Sequence, residues 1–362
     1  MTTPLGPAAL LPPLASSGAG EWTARRDADI RAVLADPRFT VQPAGPGGPP
    51  GTVSWLRASV SRFASGGEHR GRRALVEAEL GRLDPGALRA AAHELALGQL
   101  AGCGRPGDRV DVMSLLARRV PVAALAAQLG LADPPRAAAA VTAVAASYFP
   151  GSDARREQQA DAETAWLVTA LRPASPDLTV ARIAIMVQAC DATAGLIGTA
   201  LHLLQDRPAA GDARPASTGR AASTGWPAGG GPPLPAGGNC PTDALLAETL
   251  RRRPPASKIR RVAGASADVA GQHIRAGDRV VCDIEAAGRD PRPVPHDAGH
   301  AAPAGLAFGA GLRPCPGPGQ ALALASGVID AVRARCVLQP GTAVTYEAAA
   351  TRVPERLEAV LR

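Results

Sequence analysis

The chain has 362 residues, roughly a fifth of them Gly or Pro, about double ordinary usage, while 46% are hydrophobic. That apolar share is enough for a sizeable core and excludes a wholly disordered chain or a collagen-like fibre. The formal charge of +7 comes from scattered arginines, Lys258 being the one lysine, and only 3% of residues are aromatic, so nucleic acid is not an expected partner.

Residues 1–20 read as irregular: the apolar patch Ala8–Leu14 is broken by Pro12 and Pro13 and has no basic residue before it, unlike a signal peptide. From Glu21, EWTARRDADIRAVLADPRFTV predicts a short strand, then a helix from about Asp27 with Ile30, Val33 and Leu34 on one face, stopped at Asp36-Pro37. Residues 45–51 read as a loop. Residues 57–82 read as a helix in two parts around Gly66-Gly67, and Pro85–Leu100, Val112–Leu131 and Ala137–Tyr148 as Ala/Leu-rich helices.

The longest apolar helix is predicted over Asp177–Leu204, roughly 40 Å at 1.5 Å per residue, and it is apolar nearly all round, as a buried central helix is. Asp191 sits in its middle. An acid there is costly, which marks it as a functional candidate. No run of about 18 uninterrupted apolar residues occurs, so a membrane span is not expected and the cytoplasm is the expected location. Residues 205–240 are a low-complexity stretch of Pro, Gly, Ala, Ser and Thr, read as a linker or flexible loop. A helix from Thr242 ends at Pro254-Pro255, residues 260–284 alternate like strands, and a glycine-punctuated loop at 305–319 leads to a helix over Gln320–Arg335. The tail has strand character around Thr342–Tyr346. The expected fold is mainly α with a smaller β part, one domain over 1–362.

The six cysteines are far apart and form no Cys-x-x-Cys pair, against both a zinc site and a disulfide framework. His93, His202 and His273 lack metal-ligand spacing, and Cys190 reads as a packing residue. The most specific segment is Phe308-Gly309-Ala310-Gly311-Leu312-Arg313-Pro314-Cys315-Pro316-Gly317, directly before a helix. Free N–H groups at a helix start, with the helix dipole, favour a thiolate there, and Gly309 and Gly311 permit the tight turns that aim them. Such a thiolate can hold a soft metal or haem iron, or act as a nucleophile.

This segment resembles the haem-ligand loop of the cytochrome P450 family, Phe-Gly-x-Gly-x-His/Arg-x-Cys-x-Gly. Glu248-Thr249-Leu250-Arg251 is similar to the family's Glu-x-x-Arg helix, whose pair lies on one helix face. The resemblance implies a P450 fold with haem b between the central helix and the cysteine loop, Cys315 on iron, and Asp191 beside the oxygen-binding face. It implies that His69 and Arg73 of Glu68-His69-Arg70-Gly71-Arg72-Arg73, with Arg261 and Arg313, hold the haem propionates by charge-assisted hydrogen bonds. Phe308, Gly309 and Gly317 shape the loop. A haem-thiolate monooxygenase is the activity implied, acting on a small molecule such as a natural-product intermediate, with electrons from NAD(P)H through ferredoxin reductase and ferredoxin. The basic clusters Arg70–Arg73 and Arg251–Arg253 are candidate ferredoxin-docking faces.

The chain departs from the family pattern in several places. Ala192 stands where a proton-delivering threonine is usual, with Thr193 at the next position, so a substrate hydroxyl and ordered water are expected to assist proton delivery. His300 replaces the arginine that usually completes the Glu-x-x-Arg pair, and Leu324 replaces the acid usual in the helix after the cysteine. Residues 205–240 stand in place of helices, and the amino-terminal region is short. The alternative reading is a non-catalytic relative that assists a biosynthetic enzyme such as a glycosyltransferase. Such relatives typically lack the cysteine, so Cys315 and the Glu248–Arg251 pair count against it. Peroxide-driven members carry Arg-Pro where Asp191-Ala192 stands.

Overall fold

The computed structural model describes residues 11–171, 175–205, 240–291, 305–341, 343–347 and 351–362. They form a mainly helical structure with a smaller β part and divide into two compact units.

The first unit holds the described residues up to Thr40, Cys240 and the described residues of Leu250–Pro314. Its sheet has the order β1-β2-β8-β5-β3, built from Ala15–Gly18 (β1), Glu21–Ala24 (β2), Phe39–Thr40 (β3), Lys258–Ala263 (β5) and Arg279–Asp283 (β8); β2 and β8 run parallel and the other pairs antiparallel. Helix α1 (Asp27–Ala35) buries Ile30, Val33 and Leu34 in the core that Val280, Cys282 and Ala263 supply from the sheet. This is the face its spacing predicts. A small hairpin, Ala267–Val269 (β6) with Gln272–Ile274 (β7), and the short helix α10 (Ile284–Ala287) complete the unit. The irregular reading of residues 1–20 is corrected at its end: Ala15–Gly18 is a strand, paired with β2 through a turn in which Gly18, Ala19 and Gly20 all have positive φ. Its sequence, Ala-Ser-Ser-Gly, carries no alternation to announce it; backbone pairing alone makes it.

The second unit comprises Val41–Arg207, Pro241–Thr249 and Cys315–Arg362. Its helices are α2 (Val53–Ser59), α3 (Gly66–Gly81), α4 (Pro85–Gly102), α5 (Val120–Gln128), α6 (Pro134–Ala146), α7 (Ala154–Ala170), α8 (Pro176–Gln205) and α11 (Pro318–Arg335). Helix α9 (Thr242–Arg252) begins in this unit. Caps set several starts: Thr52, Asp84, Asp133 and Asp153 each accept an N–H of the first turn, and Pro85 and Pro134 occupy positions whose N–H would be unused. Arg109–Asp111 (β4), Glu358–Leu361 (β10) and Cys336–Leu338 (β9) form a three-stranded antiparallel sheet.

Helix α8 lies against α3, α6 and α11. By length and mean hydropathy it could cross a membrane, but 72% of its most apolar 18-residue window is buried within the protein. Three expectations change in this unit. The break in 57–82 falls at Val60–Ser65, occupied by a 3-10 turn (Ser61–Phe63), and Gly66-Gly67 begin α3. The segment Val112–Leu131 is split into a π-helical turn, Met113–Ala117, and α5, because Pro121 lacks the N–H to continue a helix across that point. Of the tail strand expected around Thr342–Tyr346, Thr342 lies outside the described residues, the remainder contributes a single bridge, Tyr346 with Pro354, and the strand found in the tail is β10. Helix α7 had no counterpart in the sequence reading. Its polar composition hides a narrow buried stripe of Ala160, Thr164 and Leu167 at helical spacing.

Candidate active site

The cysteine loop is shaped by its glycines. Gly309, at φ +71, donates its N–H to the Leu306 carbonyl at 2.8 Å. Gly311, at φ +65, lies so close to the last turn of α1 that a Cβ would sit 2.2 Å from the Leu34 carbonyl oxygen, which itself accepts the Leu312 N–H at 3.1 Å. Only glycine fits there. Past Pro314 the chain reaches Cys315, a half-buried free thiol three residues before α11. The Gly317 N–H bonds to its sulfur and the Arg73 charge acts on it, both favouring thiolate, but burial is the larger effect and pushes the Cys315 thiol above its ordinary value. The helix-start activation expected from sequence is therefore present and, in the chain by itself, outweighed. Gly317 abuts Leu80, whose methyls would lie 3.2–3.3 Å from a Cβ, and Gln320 donates to the Leu80 carbonyl at 3.0 Å, so α3 and the start of α11 fix the cysteine's flank.

On α3, His69 and Arg73 are half-buried and four residues apart, on one face. Arg73 pairs with Glu77 at 2.7 Å, and Arg72 pairs with Glu68 at 2.6 Å. The basic cluster is thus internally balanced in part. In the other unit, Arg261 on β5 is buried, its guanidinium donating to the Arg260 carbonyl at 2.9 Å, while Phe308 and Arg313 are half-buried. Neither Arg261 nor Arg313 is without a partner.

On α8, Asp191 is not the isolated buried acid that the sequence suggests. Its side chain is 37% exposed and lies 3.7 Å from Arg118, the residue closing the π-helical turn. Burial raises the Asp191 carboxyl and Arg118 pulls it part of the way back. Arg118 also binds Glu347, beside the bridge of Tyr346 to Pro354, and so links α8 to the carboxyl-terminal segment. The approach is close: a Cβ on Gly198 of α8 would lie 2.5 Å from the Met113 sulfur and 2.8 Å from Pro354. Ala192 is half-buried. Thr193 is 1% exposed and its hydroxyl has no hydrogen-bond partner among the described residues. Arg118 and Glu347 were missed by the sequence reading, and the Arg118-Arg119 pair carries no local signal that could have found them.

Glu248 is buried and Arg251 half-buried, one turn apart on α9, and neither is free of partners; His300 lies outside the described residues. Leu324 is 1% exposed on α11, where an unpaired acid would be costly. His202 contacts the Tyr346 hydroxyl at 2.9 Å and His273 contacts Asp268 at 2.8 Å, while Cys190 is buried against Thr142. Among the described residues no three His, Cys, Asp or Glu side chains group as metal ligands. The structure therefore brings together Cys315 with Arg73, and Asp191 with Arg118.

Neither a protein-family model nor a curated protein sequence gives a significant match. Solved structures do. The chain is similar to P450BioI, crystallised with a hexadec-9Z-enoic acid ligated acyl carrier protein, at a TM-score of 0.68 and 18% identity over 94% of this chain and 91% of that one. It is similar to CalO2 at 0.68 and 21% identity over 97% and 93%, and to a mutant of P450 EryK in complex with erythromycin B at 0.66 and 20% over 96% and 93%. A likeness that spans nearly the whole of both chains at this level fixes the architecture: the chain has the cytochrome P450 fold.

Proposed function

We propose that the chain is a haem-thiolate monooxygenase that oxidises a small organic molecule, an intermediate of natural-product biosynthesis. Its electrons come from NAD(P)H through a ferredoxin reductase and a ferredoxin in the cytoplasm. The observation that carries the proposal is Cys315: a half-buried thiol at the mouth of an 18-residue helix, on a glycine-shaped loop, with a backbone N–H on its sulfur and an arginine charge acting on it.

The residues present fit haem b. A thiol is the soft donor that iron accepts, and His69, Arg73, Arg261 and Arg313 are the donors that two propionates require. Between Phe308 and Gly317 the loop's only side chains are those of Ala310, Leu312, Arg313, Pro314, Cys315 and Pro316. When bound, haem would supply the activation of dioxygen, favoured by the electron density of a thiolate ligand. Cys315 gives up its proton on ligation, and the Gly317 N–H and Arg73 stabilise the negative sulfur. Asp191, held by Arg118 and half open to solvent, takes and returns protons at its carboxylate. Ala192 offers no hydroxyl, so the Thr193 hydroxyl, ordered water or the substrate's own hydroxyl completes the path. The small-molecule complex of the EryK mutant and the acyl-carrier complex of P450BioI support a biosynthetic substrate.

The test is spectroscopic. Reduced, haem-loaded protein exposed to carbon monoxide is expected to show the thiolate-haem absorption band, and Cys315→Ala to lose it. A folded, haem-loaded wild type without that band would falsify the proposal.

A further inference from the structure

Aromatic residues are scarce in this chain, four Phe, two Tyr and four Trp in 362 residues, yet three of them meet at one place in the second unit. Phe63, at the end of the 3-10 turn after α2, has its ring 5.5 Å from that of Tyr148 and 6.2 Å from that of Phe149. Tyr148 and Phe149, in the loop that leaves α6, are 5.9 Å apart, edge to face. The guanidinium carbon of Arg62 stands 4.9 Å from the centre of the Phe149 ring.

Two features leave this cluster incomplete. Phe149 is 42% exposed, a large apolar face presented to solvent. Tyr148 is the reverse: it is 3% exposed, and its buried hydroxyl has no hydrogen-bond partner among the described residues. An unmet buried hydroxyl is costly, so each one in a folded chain calls for an explanation such as a bound water or ligand. Arg62 forms no ion pair among the described residues. Its neighbour Arg57 shows the contrast, for it donates to the Ser147 carbonyl at 2.6 Å and pairs with Glu157 at 2.7 Å, a purely structural tether of the same loop. Burial pushes the Tyr148 phenol up and the Arg62 charge draws it back, so the two groups act on one another with no hydrogen bond between them. Arg62, against the Phe149 ring, and the unmet Tyr148 hydroxyl are both donors, and a carboxylate is the group that suits both: guanidinium prefers it for charge and geometry, and its second oxygen accepts an O–H.

We propose that Arg62, Tyr148, Phe63 and Phe149 form a recognition site for a carboxylic acid on an aromatic or flat apolar skeleton, the carboxylate held by Arg62 and the Tyr148 hydroxyl and the skeleton lying against Phe149. The site rests on the monooxygenase reading only in that its ligand is taken to be the substrate. Aromatic faces favour offset or edge contacts with a ring, which selects an aryl acid over a branched aliphatic one.

The probe is a series of ω-phenylalkanoates, phenylacetate to 8-phenyloctanoate, with their primary amides, titrated calorimetrically into the full chain. At least one acid is expected to bind tenfold or more tightly than its amide. Arg62→Gln is expected to abolish that preference, and Tyr148→Phe, which keeps the ring, to weaken the acid several-fold and the amide less, with circular dichroism reporting an intact fold. The proposal is overturned if no acid in the series binds better than its amide, or if the preference survives Arg62→Gln. The carbon monoxide spectrum of the same preparations separates the two readings. An acid preference without the band sinks the monooxygenase and leaves the site, and the band without the preference does the reverse.

Discussion

Asp191 shows how a single side chain can cost stability and still be held in place. Water is partly withdrawn from it by α8, and Arg118 offsets only some of that loss, so its carboxyl titrates above the ordinary carboxylate range. An acid whose folded pKa is raised contributes stability that is complete below its unfolded pKa and disappears as the pH rises through the folded one. Asp191→Asn removes that loss. Thermal midpoints measured from pH 4 to pH 7 are therefore expected to show the variant gaining on the wild type as the pH rises, with the smallest difference at the acid end. A gap that is constant or shrinks with pH would mean that Arg118 compensates the carboxylate fully. Cys190, the preceding residue, obeys the same logic with opposite visibility: burial and the Asp191 charge push its thiol to about 12, which makes it inert where the exposed Cys103 is open to reagents.

At the scale of elements, close helix approach is carried by particular glycines. Gly327 of α11 faces α4 so tightly that a Cβ would lie 2.3 Å from the Arg89 carbonyl oxygen and 3.0 Å from the Ala92 Cβ, which are parts of a helix that can yield only by moving whole. Gly98, within α4, meets nothing within 4 Å. Alanine is a better helix former than glycine by about 1 kcal/mol, and overpacking costs about 1–3 kcal/mol. Gly98→Ala is thus expected to raise the urea midpoint and Gly327→Ala to lower it, although the two substitutions are the same on paper. Equal effects would refute the tight α4–α11 approach. The same contrast governs what could be read in advance. Helix α8 is legible to within a residue at each end because thirty residues of apolar sequence permit no other structure in a folded core. Helix α7 is not, because its buried stripe is one residue wide, and β1 is not, because its pairing is made by backbone alone.

At the scale of the whole chain, the candidate site divides the same way. The cysteine loop was legible because its chemistry is local: the glycines, the thiol and the helix that follows are consecutive, and Gly309 and Gly311, where tight turns were expected, both have positive φ. The tie from Arg118 to Asp191 and Glu347, and the meeting of Arg62 and Phe63 with Tyr148 and Phe149, join residues distant in sequence, and no local pattern announces them. Neither does a local pattern report how much of the folded chain's stability depends on its cofactor. A group that binds the folded chain and not the unfolded one stabilises it by an amount set only by concentration and affinity, about 2.7 kcal/mol at one hundred times Kd. Haem added to apoprotein is therefore expected to raise the thermal midpoint in step with its concentration, and to raise it less for Cys315→Ala, which keeps the propionate-binding residues and loses the iron ligand. The difference between the two slopes measures what the thiolate contributes to binding. If both proteins respond alike, haem is held without Cys315. If neither responds, the P450 fold of this chain serves a role that does not involve haem.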